Sequence, residues 1–328
     1  MSGEDHFSSG SGEVWWNKTF VEYDNESFSG SGSGFIDEYL GIYNSINTYI
    51  GLTLKLIGVL CNPFIISYII TSSRKNVKKM STYHFLLLLL AIIDWLICLT
   101  EIPDHLDYLE IIPYNQVLTN TDVLTTPLQL QSMFGLFFVS LLRYQSIVHP
   151  FKTKWTKRRY FFFFLATLIG SFLIYLPNFF PQQDMDAAMY FLAENVLNID
   201  IGISFVFLVI LIVLYFKMRK VLKEGQESRS KERNKKALKT LRFLLVLFAF
   251  TMVLSKIIFI FLHELIYKTS NFKEMNGAEK TTVHLVEILL LHVIFLNNVG
   301  NFFIYLKMMP DFRRFMLNLF CCRCRQVQ

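Results

Sequence analysis

The sequence predicts an all-α membrane protein, a seven-transmembrane helix bundle with a short amphipathic C-terminal helix. Three observations predict this fold. The 328 residues are 53% hydrophobic and include 33 phenylalanines, which is more apolar surface than a soluble domain buries. The apolar residues gather into seven runs, each near the length of about 20 residues that crosses the hydrocarbon as a helix. Basic residues fill alternate connectors between these runs.

The runs are too long for strands, and helices satisfy their own backbone hydrogen bonds in lipid. The predicted spans are Tyr49–Ile70, His84–Ile102, Leu124–Val148, Tyr160–Phe180, Leu197–Phe216, Leu241–Leu262 and Val283–Leu306. They define a membrane domain over residues 49–308, which leaves 1–48 and 309–328 as two terminal segments.

The charge of the connectors predicts the orientation. One side of the bundle carries 24 lysines and arginines and the other side carries four. Because cytoplasmic loops hold the excess of basic residues, we expect an extracellular N-terminus and a cytoplasmic C-terminus in the plasma membrane.

Residues 1–48 are rich in serine, glycine and acids and cannot bury a core, so we expect a disordered extracellular tail. Asn17 and Asn25 each begin an N-glycosylation sequon, which fits an extracellular position.

The segment after the last run resembles a helix lying in the membrane surface. Over 310–320 the apolar residues fall on one helical face. Cys321, Cys322 and Cys324 follow at once and are placed for palmitoylation, although plain free thiols are the alternative. No pair of cysteines is placed to join the outward loops, so we expect no structural disulfide there.

Polar residues inside the runs mark a functional axis, because buried ionisable groups in lipid need partners. Asp94 lies at mid-depth, and the asparagines of the first and seventh runs are its expected donors. Arg143 ends the third run with no acid beside it. Two other interpretations stay open: Asp94 only fixes helix packing, and Arg143 only extends towards lipid headgroups.

Four motifs occur in order along the chain: Gly58 to Asn62, Leu89-Leu90-Ala91-Ile92-Ile93-Asp94, Leu142-Arg143-Tyr144 with His149-Pro150, and Asn297-Asn298-Val299-Gly300-Asn301-Phe302-Phe303-Ile304-Tyr305. With these motifs, roughly residues 45–325 resemble the rhodopsin-like family of G-protein-coupled receptors. Tyr215 matches a tyrosine of helix five. The seventh-run variant is similar to invertebrate FMRFamide-like peptide receptors and some nematode chemoreceptors.

The chain also departs from the family pattern. Leu142 replaces the usual acid before the arginine, and Phe302 replaces the proline of the seventh helix. The sixth run has Thr251-Met252-Val253-Leu254 where the family has its Cys-Trp-x-Pro motif. Loss of the acid predicts weaker restraint of the inactive state.

The resemblance implies a receptor, not an enzyme, whose partners are a heterotrimeric G protein, an extracellular ligand and membrane lipids, with no nucleic acid. It assigns G-protein coupling and activation to Arg143, Tyr144, Tyr215, Asn301 and Tyr305. It places no required cofactor, but an allosteric sodium ion among Asp94, Ser132, Asn297 and Asn301, whose oxygens suit a hard cation.

The ligand pocket is predicted from polar residues in the outer halves of the spans, namely Glu101, Gln129, Lys256 and Glu287. Lys256 is expected to pair with a carboxylate such as Glu101 or Glu287, with or without touching the ligand. The acids of the outward loops and tail favour a cationic ligand such as a neuropeptide or amine.

Other functions remain as alternatives. A chemosensory receptor for small molecules fits the same fold, whereas a seven-helix channel or transporter more often shows broken helices and an internal repeat. The seventh run has no lysine before Lys307, which excludes a retinal receptor.

Overall fold

The computed structural model describes the backbone of residues 33–74, 80–109, 111, 121–149, 155–179, 187–224, 229–267 and 277–320. The helices are α1 (Ser33–Arg74), α2 (Thr82–Thr100), α3 (Ile102–Tyr108), α4 (Thr121–Val148), α5 (Lys157–Ile174), α6 (Ala187–Glu224), α7 (Arg229–Phe248), α8 (Ser255–Tyr267), α9 (Gly277–Met308) and α10 (Pro310–Phe320). A 3₁₀ turn, Leu176–Phe179, follows α5, and a π-helical segment, Ala249–Leu254, joins α7 to α8. These described residues include no strand, which confirms the all-α prediction.

Helices occupy each of the seven predicted runs, and α10 covers the predicted amphipathic segment. Within the described residues, length and composition alone identify four helices that are apolar enough to cross a membrane: Thr48–Ser73, Thr82–Thr100, Asn198–Glu224 and Leu238–Phe259. The remaining three predicted spans carry more polar groups. Three basic residues open α5, while α4 and α9 hold the glutamines, asparagines and serines of the predicted axis. These polar residues of α4 and α9 are buried, so they face the inside of the bundle rather than lipid.

The first helix begins at Ser33, well before the predicted start of the first span. Residues 1–32, with both glycosylation sequons, lie outside the described residues, so disorder and glycosylation of the tail stay predictions.

The packing of the bundle is centred on α4, which lies against α2, α5 and α6, while α1 packs between α2 and α9. At Gly58 a side chain on α1 would overlap the sulfur of Cys98 on α2, so glycine permits the close approach of these helices. Cys61 and Cys98, on the facing helices α1 and α2, are free thiols.

The sixth span is irregular although it contains no proline. Its π-helical segment has one wider turn, in which the Ser255 hydroxyl donates to the Phe250 carbonyl at 2.9 Å. The Thr251 hydroxyl donates to the Leu247 carbonyl at 2.8 Å just before it. Because π-turns interrupt the regular hydrogen-bond ladder, this segment supplies the irregularity that a proline gives in other helices.

The amphipathic helix α10 docks through one edge of its apolar face. Phe312 is buried between the rings of Tyr68 and Phe302, at centroid distances of 5.2 and 5.7 Å. Phe320, at the far end of the same predicted face, is 66% exposed. An apolar face that is only partly covered by protein suits a helix lying in the membrane surface.

Candidate functional site

Three contacts between α2 and α4 fix the polar axis. The hydroxyls of Thr100 and Thr125 lie 3.1 Å apart at one end, here named the Thr100 end. Arg143 and Tyr83 meet at the opposite end, named the Arg143 end. Asp94 and Ser132 meet between them. The two helices are therefore antiparallel, and their polar residues form one line through the bundle.

Asp94 is the centre of this line and is almost completely buried. The Ser132 hydroxyl donates to its Oδ1 at 2.6 Å, and the Asn301 amide donates to its Oδ2 at 2.8 Å. Asn301 thus provides the donor expected from the seventh run. The asparagine of the first run does not bond Asp94, because the Asn62 amide donates to the Asn298 carbonyl at 3.3 Å instead.

Asp94 has no charged partner in the described part of the chain, where no lysine or arginine forms an ion pair with its carboxylate. Asn297, the fourth residue of the predicted sodium site, is also buried in α9. A buried carboxylate without an opposite charge is unfavourable, and a hard cation would supply that charge. The sodium site stays a prediction.

Lys256 forms an internal ion pair with a carboxylate, as predicted, but this carboxylate is not that of Glu101. Lys256 on α8 forms a buried ion pair with Asp200 on α6, and not with Glu101. The hydroxyl of Tyr175, at the end of α5, lies against the same Asp200 carboxylate. Asp200 stands inside the predicted fifth span, and this acid within an apolar run was the signal that the sequence analysis missed.

Glu101 has a different partner, Lys55 of α1, and this ion pair is also buried. The Lys55 ammonium lies over the Phe295 ring of α9, so the pair joins three helices. His105 of α3 packs against Gly51 beside this pair. Burial, aided by Lys55 and then His292, lowers the pKa of His105 to about 4, so this histidine is neutral at physiological pH.

The other two predicted pocket residues give less information. Gln129 is buried on α4, between Thr125 and Ser132. Glu287 belongs to α9, but its side chain lies outside the described part of the structure. The structure therefore divides the predicted pocket into two ion pairs, one on α1 and α2 and the other on α6 and α8.

Of the residues predicted for G-protein coupling, the described contacts bring only some close to Arg143. Arg143 is half-buried, and its guanidinium carbon lies 3.7 Å from the centre of the Tyr83 ring. Tyr305 is buried and lies close enough to Arg143 to interact with it electrostatically. Tyr144 packs on His149 and Tyr215 on Phe216, each with ring centroids 5.6 Å apart.

A line of buried polar groups that ends at an arginine of α4 is consistent with the result of a comparison with known protein families. The model of the 7 transmembrane receptor (rhodopsin family) matches residues 62–305. The chain belongs to this family. No curated protein matches the chain. Membership makes this rhodopsin-family receptor a multi-pass membrane protein, and it places α4, α5 and α9 in the membrane beside the four apolar helices.

Proposed function

We propose that this rhodopsin-family receptor passes an extracellular chemical signal to a heterotrimeric G protein in the cytoplasm. The observation that carries the proposal is Arg143 at the end of the polar axis, half-buried and without an ion pair among the described residues. An arginine that is not held by a carboxylate is available to an incoming partner. The distribution of basic residues supports a cytoplasmic Arg143 end and an extracellular Thr100 end.

In the active state the α7–α8 span moves away from α4 and opens a cleft at the Arg143 end. Arg143 and Tyr144 would then contact the G protein. Tyr215 and Tyr305 would stabilise the open cleft, and Asn301 would link it to Asp94. The bond from Asn301 to the Asp94 carboxylate, 2.8 Å long, is the described part of this connection.

Replacement of Arg143 by alanine tests the coupling. A buried arginine at a protein interface contributes about 2 kcal/mol or more, so we expect the second-messenger response to fall about 30-fold or more. The measurement is a screen of transfected cells against neuropeptides, amines and odorants at matched surface expression. Arg158→Ala, which removes an exposed arginine from α5, is the control and should keep the response. An undiminished response of Arg143→Ala would refute the coupling role.

The ligand that we propose is a cationic neuropeptide or another cationic molecule, as in the invertebrate peptide receptors that the seventh run resembles. The acids near the Thr100 end support this charge. A small chemosensory ligand is the alternative, and the same screen separates the two because it includes odorants.

We also propose that a sodium ion binds at Asp94 with oxygens of Ser132, Asn297 and Asn301. Binding to the folded state alone raises its stability, so sodium chloride should raise the melting temperature of the purified receptor above its value in choline chloride. Asp94→Asn should abolish this difference. Ser140→Ala is the matched control, because the buried Ser140 hydroxyl donates to the Leu136 carbonyl of its own helix, at 2.9 Å. An equal sodium effect in Asp94→Asn would exclude the site.

Modification of the termini completes the proposal. Asn17 and Asn25 are proposed to carry N-glycans outside the cell. Cys321, Cys322 and Cys324 are proposed to carry palmitate beside α10, where Arg313 and Arg314 would face anionic lipid headgroups. All five modified positions lie outside the described residues.

A further inference from the structure

The Arg143 end contains a contact that the family motif does not predict. The guanidinium of Arg143 lies over the ring of Tyr83, with 3.7 Å between the guanidinium carbon and the ring centre. Tyr83 belongs to the first turn of α2. The Ser81 hydroxyl caps this turn by accepting a hydrogen bond from the His84 backbone amide at 3.2 Å. The cap holds the start of α2, and therefore the Tyr83 ring, in a fixed position.

Among the described residues, no carboxylate holds Arg143 in place. Leu142, which stands where the family has an acid, is buried in the apolar core and offers no charge. Among the described residues, ion pairs are formed by Lys55, Lys220 and Lys256, but not by Arg143. The residues that face Arg143 are Tyr83 and His84 from α2 and Tyr305 from α9. None of them carries a negative charge at neutral pH.

The electrostatic setting makes the ring contact the main attraction. The N-terminus of a helix carries a partial positive charge, so the start of α2 repels an arginine. The face of an aromatic ring is negative and attracts a guanidinium, which is planar and weakly hydrated. The ring of Tyr83 therefore supplies the attraction that holds Arg143 in this place.

We propose that Tyr83 is the positioning residue that restrains Arg143 in the resting receptor, in place of the missing acid. This inference rests on the proposed coupling role of Arg143. A ring contact is weaker than a buried ion pair, so the restraint is easily released when a partner arrives. The Tyr83 hydroxyl has no part in it, because the ring face makes the contact.

The test compares Tyr83→Leu with Tyr83→Phe. Cation–π contacts at this level of exposure correspond to about a 2- to 30-fold change in an equilibrium, so Tyr83→Leu should raise the ligand-independent signal by that factor. Tyr83→Phe keeps the ring and should keep the signal of the unchanged receptor. Phe85→Leu, which removes a neighbouring α2 ring that contacts Phe161 rather than Arg143, is the matched control.

A second measurement does not depend on any G protein. Fluorescent labels at the exposed residues Arg158 and Lys239 report the distance between α5 and α7 at the Arg143 end of the purified receptor. Tyr83→Leu should increase the fraction with a long distance, and Tyr83→Phe should not. A longer distance in Tyr83→Leu without any second-messenger signal would support the restraint by Tyr83 but refute the proposed coupling role of Arg143. The role of the Tyr83 ring would be overturned if the Leu and Phe variants gave the same distances, whether both kept the short distance or both lost it.

Discussion

Replacing Lys55 by methionine should lower the free energy of unfolding by about 3–5 kcal/mol, because the substitution leaves the Glu101 carboxylate buried without a partner. Both members of this pair are shielded from solvent, with side chains 1% and 7% exposed. The measurement is unfolding of the purified receptor in mixed micelles, followed by the loss of helical circular dichroism.

The double variant Lys55→Met with Glu101→Leu should recover most of this loss, since apolar residues of similar volume replace a buried ion pair at little or no cost. An exposed pair in the same chain gives the control. Lys220 and Glu224 lie one turn apart on α6, 3.9 Å from each other, with side chains 77% and 63% exposed. Lys220→Met should therefore change the free energy by about 0.5 kcal/mol or less. A similar small effect at Lys55 would show that its charge is not buried with Glu101.

The partners of Lys55 and Lys256 show which features of the fold can be predicted from the sequence and which cannot. The length of each apolar run predicts the depth of its charged residues in the membrane, and a helix occupies each of the seven runs. Depth does not give the rotation of a helix about its axis, which decides whether Glu101 faces α1 or α8. Glu101 faces Lys55, so the predicted pairing of Lys256 with Glu101 was wrong.

The centre of the bundle was easier to predict. Asp94, Ser132 and Asn301 were brought together by the resemblance to a family whose packing is already defined, and the structure places both donors on the carboxylate. Tyr83 had no such signal, because a tyrosine near the end of an apolar run usually lies at the membrane interface. Only the crossing of α2 and α4 places its ring under Arg143.

The second large effect is expected at Asp200 and Lys256, the ion pair between α6 and α8. Asp200→Ala should destabilise the receptor by about 3–5 kcal/mol, because it leaves a buried ammonium without its carboxylate. The pair lies with Tyr175 towards the Thr100 end, where the ligand is proposed to bind. Its loss therefore affects folding and ligand binding together, and a single substitution does not separate the two.

A double variant separates them. Asp200→Leu with Lys256→Met removes both charges, so the unfolding free energy should return to within about 1 kcal/mol of the unchanged receptor. A ligand that bonds either charge should nevertheless lose about 30-fold or more in potency, which corresponds to about 2 kcal/mol. Once the agonist is known from the cell screen, its dose response on this stable variant decides the question. Unchanged potency would assign the pair to helix packing alone, and the ligand site would then lie nearer to Gln129 and the Lys55–Glu101 pair.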